Sequence, residues 1–379
     1  MNLYIHFPFC RSKCAYCALH SYVGRTEEER RNYVAGIIRQ LDQLFAAAPA
    51  PSFATLYFGG GTPALCDLQP LLDVLAPHLT LPSRDPQSEP YWDNGRPARC
   101  NPQRPTEFTV ELNPLDVTPR LLRQLKAGGV NRLSMGVQSL DDAVLRSMGR
   151  AHTASQAKAA WRMIREAGFD NAGLDLICGW PGERTSAIAD SWKRTLDETV
   201  RLAPDHCSVY TLILEPKTRL SLDVEKGRAI LPSDDVALAE LAAATRALAD
   251  AGLERYEISS FARPGRECRH NLATWRGEDY TGIGDGACSR EGNAVSRVIF
   301  RLRLLKEGFS PTKAAEDFPE LAPRVPEWCA TLDRFVAEGL LTRSPAHPLT
   351  HSPTLNPSTR YFLTPRGTEV CDTILADLI

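Results

Sequence analysis

Apolar and polar positions alternate from the first residues: Leu3, Ile5 and Phe7 are separated by Tyr4 and His6, a period of two that predicts a strand over about 2–7. The period then changes. Tyr33, Ile37, Leu41, Leu44 and Phe45 fall three and four residues apart and predict a helix over about 26–47 with one buried stripe. Thr26 followed by Glu27, Glu28 and Glu29 is a suitable start for that helix. The exchange of periods recurs. A strand at Thr55–Phe58 runs into Gly59, Gly60, Gly61, Thr62 and Pro63, with a helix over about 67–79 behind it. Glu107–Leu112 reads as a strand, followed by a helix at Pro119–Ala127 that Gly128 and Gly129 stop. Further strands are predicted at Arg132–Gln138, Leu174–Ile177 and His206–Leu214. Helices ending near Ala167 and a helix over about 185–202 separate these strands, and Ile188, Trp192, Leu196 and Val200 step by four in the latter. Strands that alternate with helices in this way build parallel βα units, in an open or closed barrel. The six units found are fewer than the eight of a closed barrel.

Outside this repeat the pattern is different. Residues 82–105 are rich in Pro, Ser, Asp, Asn and Arg without a period and read as a surface insertion. A helix over about 234–251, a short strand near Glu254–Ser259 and a Gly-rich stretch to about 292 follow the sixth unit. The last part reads helix (Val325–Glu338), strand (Leu340–Thr342), strand (Tyr361–Thr364), which fits a small winged-helix-like domain. The expected organisation is therefore a barrel core at 1–230, a barrel extension at 231–299 and a C-terminal domain at 300–379.

Composition narrows the function classes. A formal net charge of -2 argues against broad nucleic-acid binding, and the winged-helix-like segment gains no support from charge as a DNA binder. No apolar run is long enough to span a bilayer, and the N-terminus lacks the charged and apolar regions of a secretory signal. Eleven cysteines in such a chain point to a reducing compartment, here the cytoplasm. Most of those outside the N-terminal region (Cys66, Cys100, Cys178, Cys207, Cys268, Cys288, Cys329 and Cys371) are expected to be small buried apolar groups.

The remaining three, Cys10, Cys14 and Cys17, form a C-x3-C-x2-C run directly after the first strand. Three near-neighbour thiols cannot pair off among themselves, so a disulfide framework is a poor account of them. A structural zinc site takes four protein ligands, usually as two separated pairs, and no second pair is present. A cubic iron–sulfur cluster accounts for the spacing, because three local thiolates leave one iron open to a small molecule.

The run Tyr4-Ile5-His6-Phe7-Pro8-Phe9-Cys10, with Cys14, Tyr16 and Cys17 behind it, resembles the radical S-adenosylmethionine (SAM) superfamily. It is most similar to the branch that holds oxygen-independent coproporphyrinogen III oxidase and the HemW group of heme chaperones. The resemblance runs from Tyr4 to about Gly286 through six motifs in family order. It implies an α/β fold built on a partial, TIM-like (β/α)6 barrel, a [4Fe-4S] cluster on Cys10, Cys14 and Cys17, and SAM on the open iron. It also implies that Tyr4, Tyr16, Gly60, Gly61, Thr62, Glu111, Gln138, Arg150 and Asp175 surround SAM. Taken alone, each has an ordinary structural account. A Gly triplet after a strand is most often a turn, Glu111 can cap the turn at Asn113-Pro114, and an isolated arginine is normally solvated. The position of Cys10–Cys17, Gly59–Thr62, Glu111, Gln138 and Asp175 at expected strand ends, where βα architectures bind ligands, favours one common site. An acid inside an apolar strand, as at Glu111 and Asp175, further favours function or pairing. Gln138 offers a neutral donor and acceptor, and the planar fork of Arg150 suits a carboxylate.

Two departures separate the members of that branch. The oxidase pattern has a further cysteine two residues after the third ligand, where this chain has Leu19. The heme-chaperone group has an H-N-x-x-Y-W motif, matched here by His270, Asn271 and Trp275 with Thr274 in place of Tyr. The resemblance thus implies a heme chaperone that binds cluster, SAM and heme and passes heme to recipient hemoproteins, with peripheral membrane contact open to it. His270 is the expected heme ligand and Cys268 the competing one. The alternatives are coproporphyrinogen oxidation in porphyrin synthesis, which Leu19 disfavours, and a radical SAM methyltransferase or cyclase. In all of these the chain is able in principle to cleave SAM reductively.

Overall fold

The computed structural model describes residues 1–47, 51–80, 105–182, 189–290, 294–344 and 359–379. The expected insertion at 82–105 therefore lies almost wholly outside the described residues, as do Cys100 and Ile188. The chain divides into two compact units, one of Met1–Leu253 with Tyr280–Ser289 and one of Glu254–Asp279 with Arg290–Ile379.

In the first unit the barrel strands are β1 (Asn2–Phe7), β2 (Thr55–Gly60), β3 (Glu107–Leu112), β4 (Arg132–Gln138), β5 (Ala172–Cys178), β6 (His206–Thr211) and β7 (Tyr280–Ile283). All neighbouring pairs are parallel and the order is β7-β1-β2-β3-β4-β5-β6. The six predicted strands are present in their predicted order. β7 is additional: Asn2 pairs with Tyr280 and Ile5 with Ile283 on the free edge of β1. Tyr280-Thr281-Gly282-Ile283 has too little apolar periodicity to announce a strand, and pairing with β1 supplies what local propensity does not.

Strand alternation sorts the side chains into two classes. Leu3, Ile5 and Phe7 of β1, Leu56 and Phe58 of β2, and Phe108 and Val110 of β3 are fully buried. They form the apolar layer under the helices, each contributing roughly 1.5–3 kcal/mol of burial. Tyr4 and His6, Tyr57, Glu111, Ser134, Asp175 and Ser208 alternate with them on the opposite face. The barrel interior is consequently polar along much of its height.

The helices follow from local signals. In α1 (Glu27–Ala47), the Thr26 hydroxyl accepts from Glu29 N at 3.2 Å, and the Glu29 carboxylate accepts from Thr26 N at 2.7 Å. These reciprocal bonds satisfy two otherwise orphaned amides. Val34, Ile37 and Leu41 form its buried stripe, while Tyr33, Leu44 and Phe45 are only partly covered. The predicted helix at 67–79 is α2 (Gln69–Leu75) ending in a 3-10 turn, with Pro77 inside that turn. Further on come α3 (Pro119–Ala127), α4 (Asp142–Ser147), α5 (Ala154–Glu166), α6 (Asp190–Leu202), α7 (Arg219–Glu225) and α8 (Asp234–Asp250).

In the second unit, the segment predicted as one strand at 254–259 is two short antiparallel strands, Glu254–Arg255 and Ser260–Ala262. Beyond α9 (Arg269–Arg276), a core of Leu302, Phe309, Trp328, Leu332, Tyr361 and Ile374 organises the remaining elements. The predicted helix is α12 (Val325–Ala337), counted after α10 (Ala294–Ile299) and α11 (Pro311–Asp317). The predicted strands, β8 (Leu341–Arg343) and β9 (Tyr361–Leu363), pair antiparallel. Two short helices at Pro365–Glu369 and Cys371–Ala376 follow them, and the Trp328 indole donates to Leu378 O at 2.9 Å.

Candidate functional site

The cysteine run hangs from a small parallel ladder in which Phe9–Cys10 pairs with Tyr22–Val23. Between these ends the loop is fixed at its middle. Ala15 donates to Met148 O at 2.9 Å and accepts from Leu220 N at 2.8 Å, which ties it to the end of α4 and to α7. Cys17 N closes a turn onto Cys14 O at 3.3 Å, and Lys13 Nζ bonds Leu19 O and Ser21 Oγ at 2.6 and 2.8 Å. Tyr16 packs edge-on against Trp180, with centroids 5.8 Å apart. A loop so anchored holds its thiols in place before anything binds.

Cys10, Cys14 and Cys17 are all free and half-buried. Burial pushes the Cys10 thiol up, while Ser21 and Thr62 hydrogen bonds oppose the shift. Among the described residues no three His, Cys, Asp or Glu groups converge as a single-ion site. Three thiols on one anchored loop match the ligand set of a cubic cluster, whose cysteines bind separate irons.

The Gly59–Gly61 turn at the end of β2 lies directly against this loop. Gly60 has φ of +102°, and a Cβ on Gly61 would meet Phe9 O at 2.5 Å and Cys10 Sγ at 3.0 Å. Only glycine permits that approach. Thr62, next in sequence, is buried.

Across the barrel mouth, Glu111 at the end of β3 accepts from Tyr57 Oη at 2.8 Å and from Gly60 N at 3.0 Å. Burial pushes its carboxyl up to about 7 against these two bonds, and the negative charge of Asp175 adds to the rise. Asp175 accepts from Ser134 Oγ at 3.0 Å and is likewise raised by burial. Tyr4 stacks on Tyr57 at 5.9 Å, and its hydroxyl meets His6 Nδ1 at 3.0 Å.

Arg150 is no solvated surface arginine. Its Nη1 lies 3.5 Å from Cys14 Sγ, its Nη2 donates to Gly136 O at 2.5 Å, and its Nε is buried without a partner among the described residues. Burial opposes its charge, but Tyr16 and Cys14 as neighbours outweigh that and raise its pKa. Gln138, at a bulge in β4, holds a left-handed backbone with φ of +69°. That conformation is strained for glutamine.

Thus Tyr4, Gly60 and Glu111 form one connected group through Tyr57, and Gly61 and Thr62 adjoin Cys10. Arg150 and Tyr16 adjoin Cys14. Asp175 sits in the interior among Ser134 and Ser208. Sequence reasoning missed Tyr57, His6 and Trp180, whose parts depend on cross-strand and loop contacts. The alternation that places Tyr57 and His6 on the polar face was the available signal.

His270 belongs to the other unit and is described there. It lies in the first turn of α9 and is 6% exposed, and Cys268 before it is fully buried. Trp275 is half-buried beneath the Arg303 guanidinium, 4.5 Å from its ring centroid. Of the scattered cysteines, Cys66, Cys178, Cys207, Cys268, Cys329 and Cys371 are buried as expected, whereas Cys288 is exposed.

Comparison with known proteins adds the following. A family model described as the radical SAM superfamily matches residues 4–191. Heme chaperone HemW of Bacillus subtilis is 34% identical over 289 residues, 76% of this chain and 70% of that protein. Heme chaperone HemW of Escherichia coli is 33% identical over 303 residues, 79% and 72% of the two chains. Among solved structures, coproporphyrinogen III oxidase (HemN) of Escherichia coli superposes with a TM-score of 0.74 at 19% identity, covering 100% of this chain and 89% of the other. That likeness establishes the fold.

Proposed function

Because the chain belongs to the radical SAM superfamily and, within it, to the HemW family, we propose that it binds a [4Fe-4S] cluster, SAM and heme, and delivers heme to recipient hemoproteins. The observation that carries this reading is the anchored loop of three free thiols beside a polar barrel mouth.

In this reading Cys10, Cys14 and Cys17 hold the cluster. Bound together, cluster and SAM supply one-electron reduction of the sulfonium. The chain's own residues bind and orient. Gly60 and Gly61 admit the amino end of SAM by presenting backbone where side chains would clash, and Thr62 lines the same end. The Arg150 Nε–H, buried and unpartnered, is available to the SAM carboxylate. Glu111 accepts from the ribose hydroxyls when ionised, and Gln138 lines the same edge. Tyr4 and Tyr16 flank the site with aromatic rings, and Asp175 sets the charge beneath it.

Heme is the cargo. His270 would ligate its iron and Trp275 cover the macrocycle. The imidazole's burial means that α9 has to shift or loosen before the iron reaches it. The fully buried Cys268 is the poorer candidate. Among the described residues no helix is long and apolar enough to cross a membrane, so delivery to a membrane-bound recipient would use peripheral contact.

The test is anaerobic reconstitution with iron and sulfide, followed by titration with SAM and with heme. Heme uptake without conversion of coproporphyrinogen III supports the reading. Turnover to protoporphyrinogen would refute it in favour of the oxidase. A His270→Ala protein should lose the shift in heme absorbance, and retention of that shift would remove His270 from the heme site.

A further inference from the structure

Beneath the proposed SAM site the barrel holds a buried cation. The barrel strands β1–β7, all among the described residues, carry a single Lys or Arg side chain, that of Arg132 at the start of β4. It alternates with Leu133, so it shares the interior face with Ser134, and it is 1% exposed. The carboxylates of the same strands are Glu107 and Glu111 on β3 and Asp175 on β5, and their alternation puts all three on that face. Register places them around the guanidinium. Arg132 pairs with Thr109, so Glu107 stands two residues before its partner and Glu111 two residues after. Each such step is roughly 7 Å along a strand, within reach of a long side chain. Ser134, the next interior residue of β4, donates to Asp175 at 3.0 Å.

A guanidinium at this depth is costly unless opposite charge compensates it, and the three carboxylates supply that charge. The compensation is mutual. Burial pushes the Glu111 and Asp175 carboxyls up, and the Arg132 charge works against the rise in both. His206 on β6 is held neutral by burial and then by Arg132, so it adds no second positive charge. Tyr57 on β2 donates to Glu111, Tyr4 on β1 stays protonated through burial, and Arg150 acts on Asp175 from the loop after α4.

We propose that Arg132 is a positioning residue for SAM, a buried counter-charge that holds Glu111 and Asp175 in the anionic form in which they accept from the ligand. The inference deepens the SAM reading above and rests on it. Arg132 itself does not touch the ligand, because the paired layer of Ser134 and Glu111 stands between it and the strand ends. Without Arg132 the two acids lose the cation beneath them and keep a proton to higher pH. An arginine that only supported the fold would instead leave the same deficit at every pH.

The test compares SAM affinity of the reconstituted holoprotein with that of Arg132→Gln, by calorimetry from pH ~6 to ~9. The ionisation of Glu111, centred at about 7 in the parent, should move up by about one pH unit. SAM should then bind about tenfold more weakly at pH ~6 and within about twofold of the parent at pH ~9. Arg132→Lys retains the charge and should retain most of the affinity throughout. Denaturant unfolding of the full chain without SAM gives an independent readout. The fall in stability with rising pH should extend about one unit higher in Arg132→Gln, because the folded state holds the Glu111 proton more tightly. Should that variant fail to fold, Arg132→Gln combined with Glu107→Gln leaves neither charge alone and carries the same comparison. A deficit equal at all pH values, or pH profiles of affinity and stability that do not move, would overturn the proposal. A shifted stability profile with unmoved SAM affinity would instead refute the assignment of Glu111 and Asp175 to SAM, on which the role rests.

Discussion

At the scale of single residues, Glu111 carries opposing demands. Burial raises its carboxyl from the ordinary 4.5 to about 7. The folded state therefore takes up the proton more readily than the unfolded chain, and stability falls as pH rises from about 4.5 through about 7. A Glu111→Gln protein should lose that fall and be more stable at pH ~8 by on the order of 2 kcal/mol, as denaturant titrations at two pH values would show. In the proposed site the same change removes an ionised acceptor, so SAM affinity should drop roughly tenfold. A variant with unchanged affinity would remove Glu111 from the SAM site. Gln138 presents a similar conflict through its backbone. Gln138→Gly relieves a left-handed conformation that costs about 1 kcal/mol, so stability should hold or rise while SAM binding weakens. Calorimetry of folding and of ligand binding on one preparation checks both. The conflict at Glu111 was partly legible, since an acid in an apolar strand is costly unless paired, whereas the left-handed backbone of Gln138 leaves no sign in the sequence.

At the scale of elements, the end of β2 and the cysteine ladder are built to touch. A Gly61→Ala methyl would lie 2.5 Å from Phe9 O and 2.8 Å from Phe7 O, both backbone atoms that yield little. The strands should separate, with a loss of about 2 kcal/mol or more and a clear fall in iron bound per chain. Thermal unfolding and iron analysis measure the two effects. A Thr26→Ala change at the start of α1 removes half of a capping box that supplies no ligand to the proposed cluster. It should cost about 1 kcal/mol and leave cluster loading alone. Helices and strands were the legible part of this molecule, since α1, α3 and the six leading strands have strong periods and stop signals. β7 was not legible, because a four-residue segment with a central glycine is held by its partner strand. The two terminal helices of the second unit are short and owe their place to packing around Trp328.

At the scale of the whole molecule, the polar face running through an otherwise apolar parallel sheet is what turns the barrel into a site. Tyr4, Gly60, Glu111, Gln138 and Asp175, which are scattered along the chain, lie on neighbouring strands of one sheet, and Arg150 reaches that sheet from the loop after α4. That placement explains why residues unremarkable one by one were readable as a group. The connections among them were not readable. Tyr57 bridging Tyr4 to Glu111, and Arg150 turned inward onto Cys14, depend on register between strands that no local pattern encodes. His270 and Trp275, proposed for heme, lie in the second unit, so cluster and SAM binding should survive His270→Ala even as heme uptake is lost. The most direct measurement of the central claim is electron paramagnetic resonance with iron analysis on anaerobically reconstituted, reduced protein, with and without SAM. The account predicts about four irons per chain and a cube-type signal that SAM perturbs and that disappears when Cys10, Cys14 and Cys17 are replaced by Ala. A cube-type signal that persists in the triple-Ala protein, or one indifferent to SAM, would contradict it.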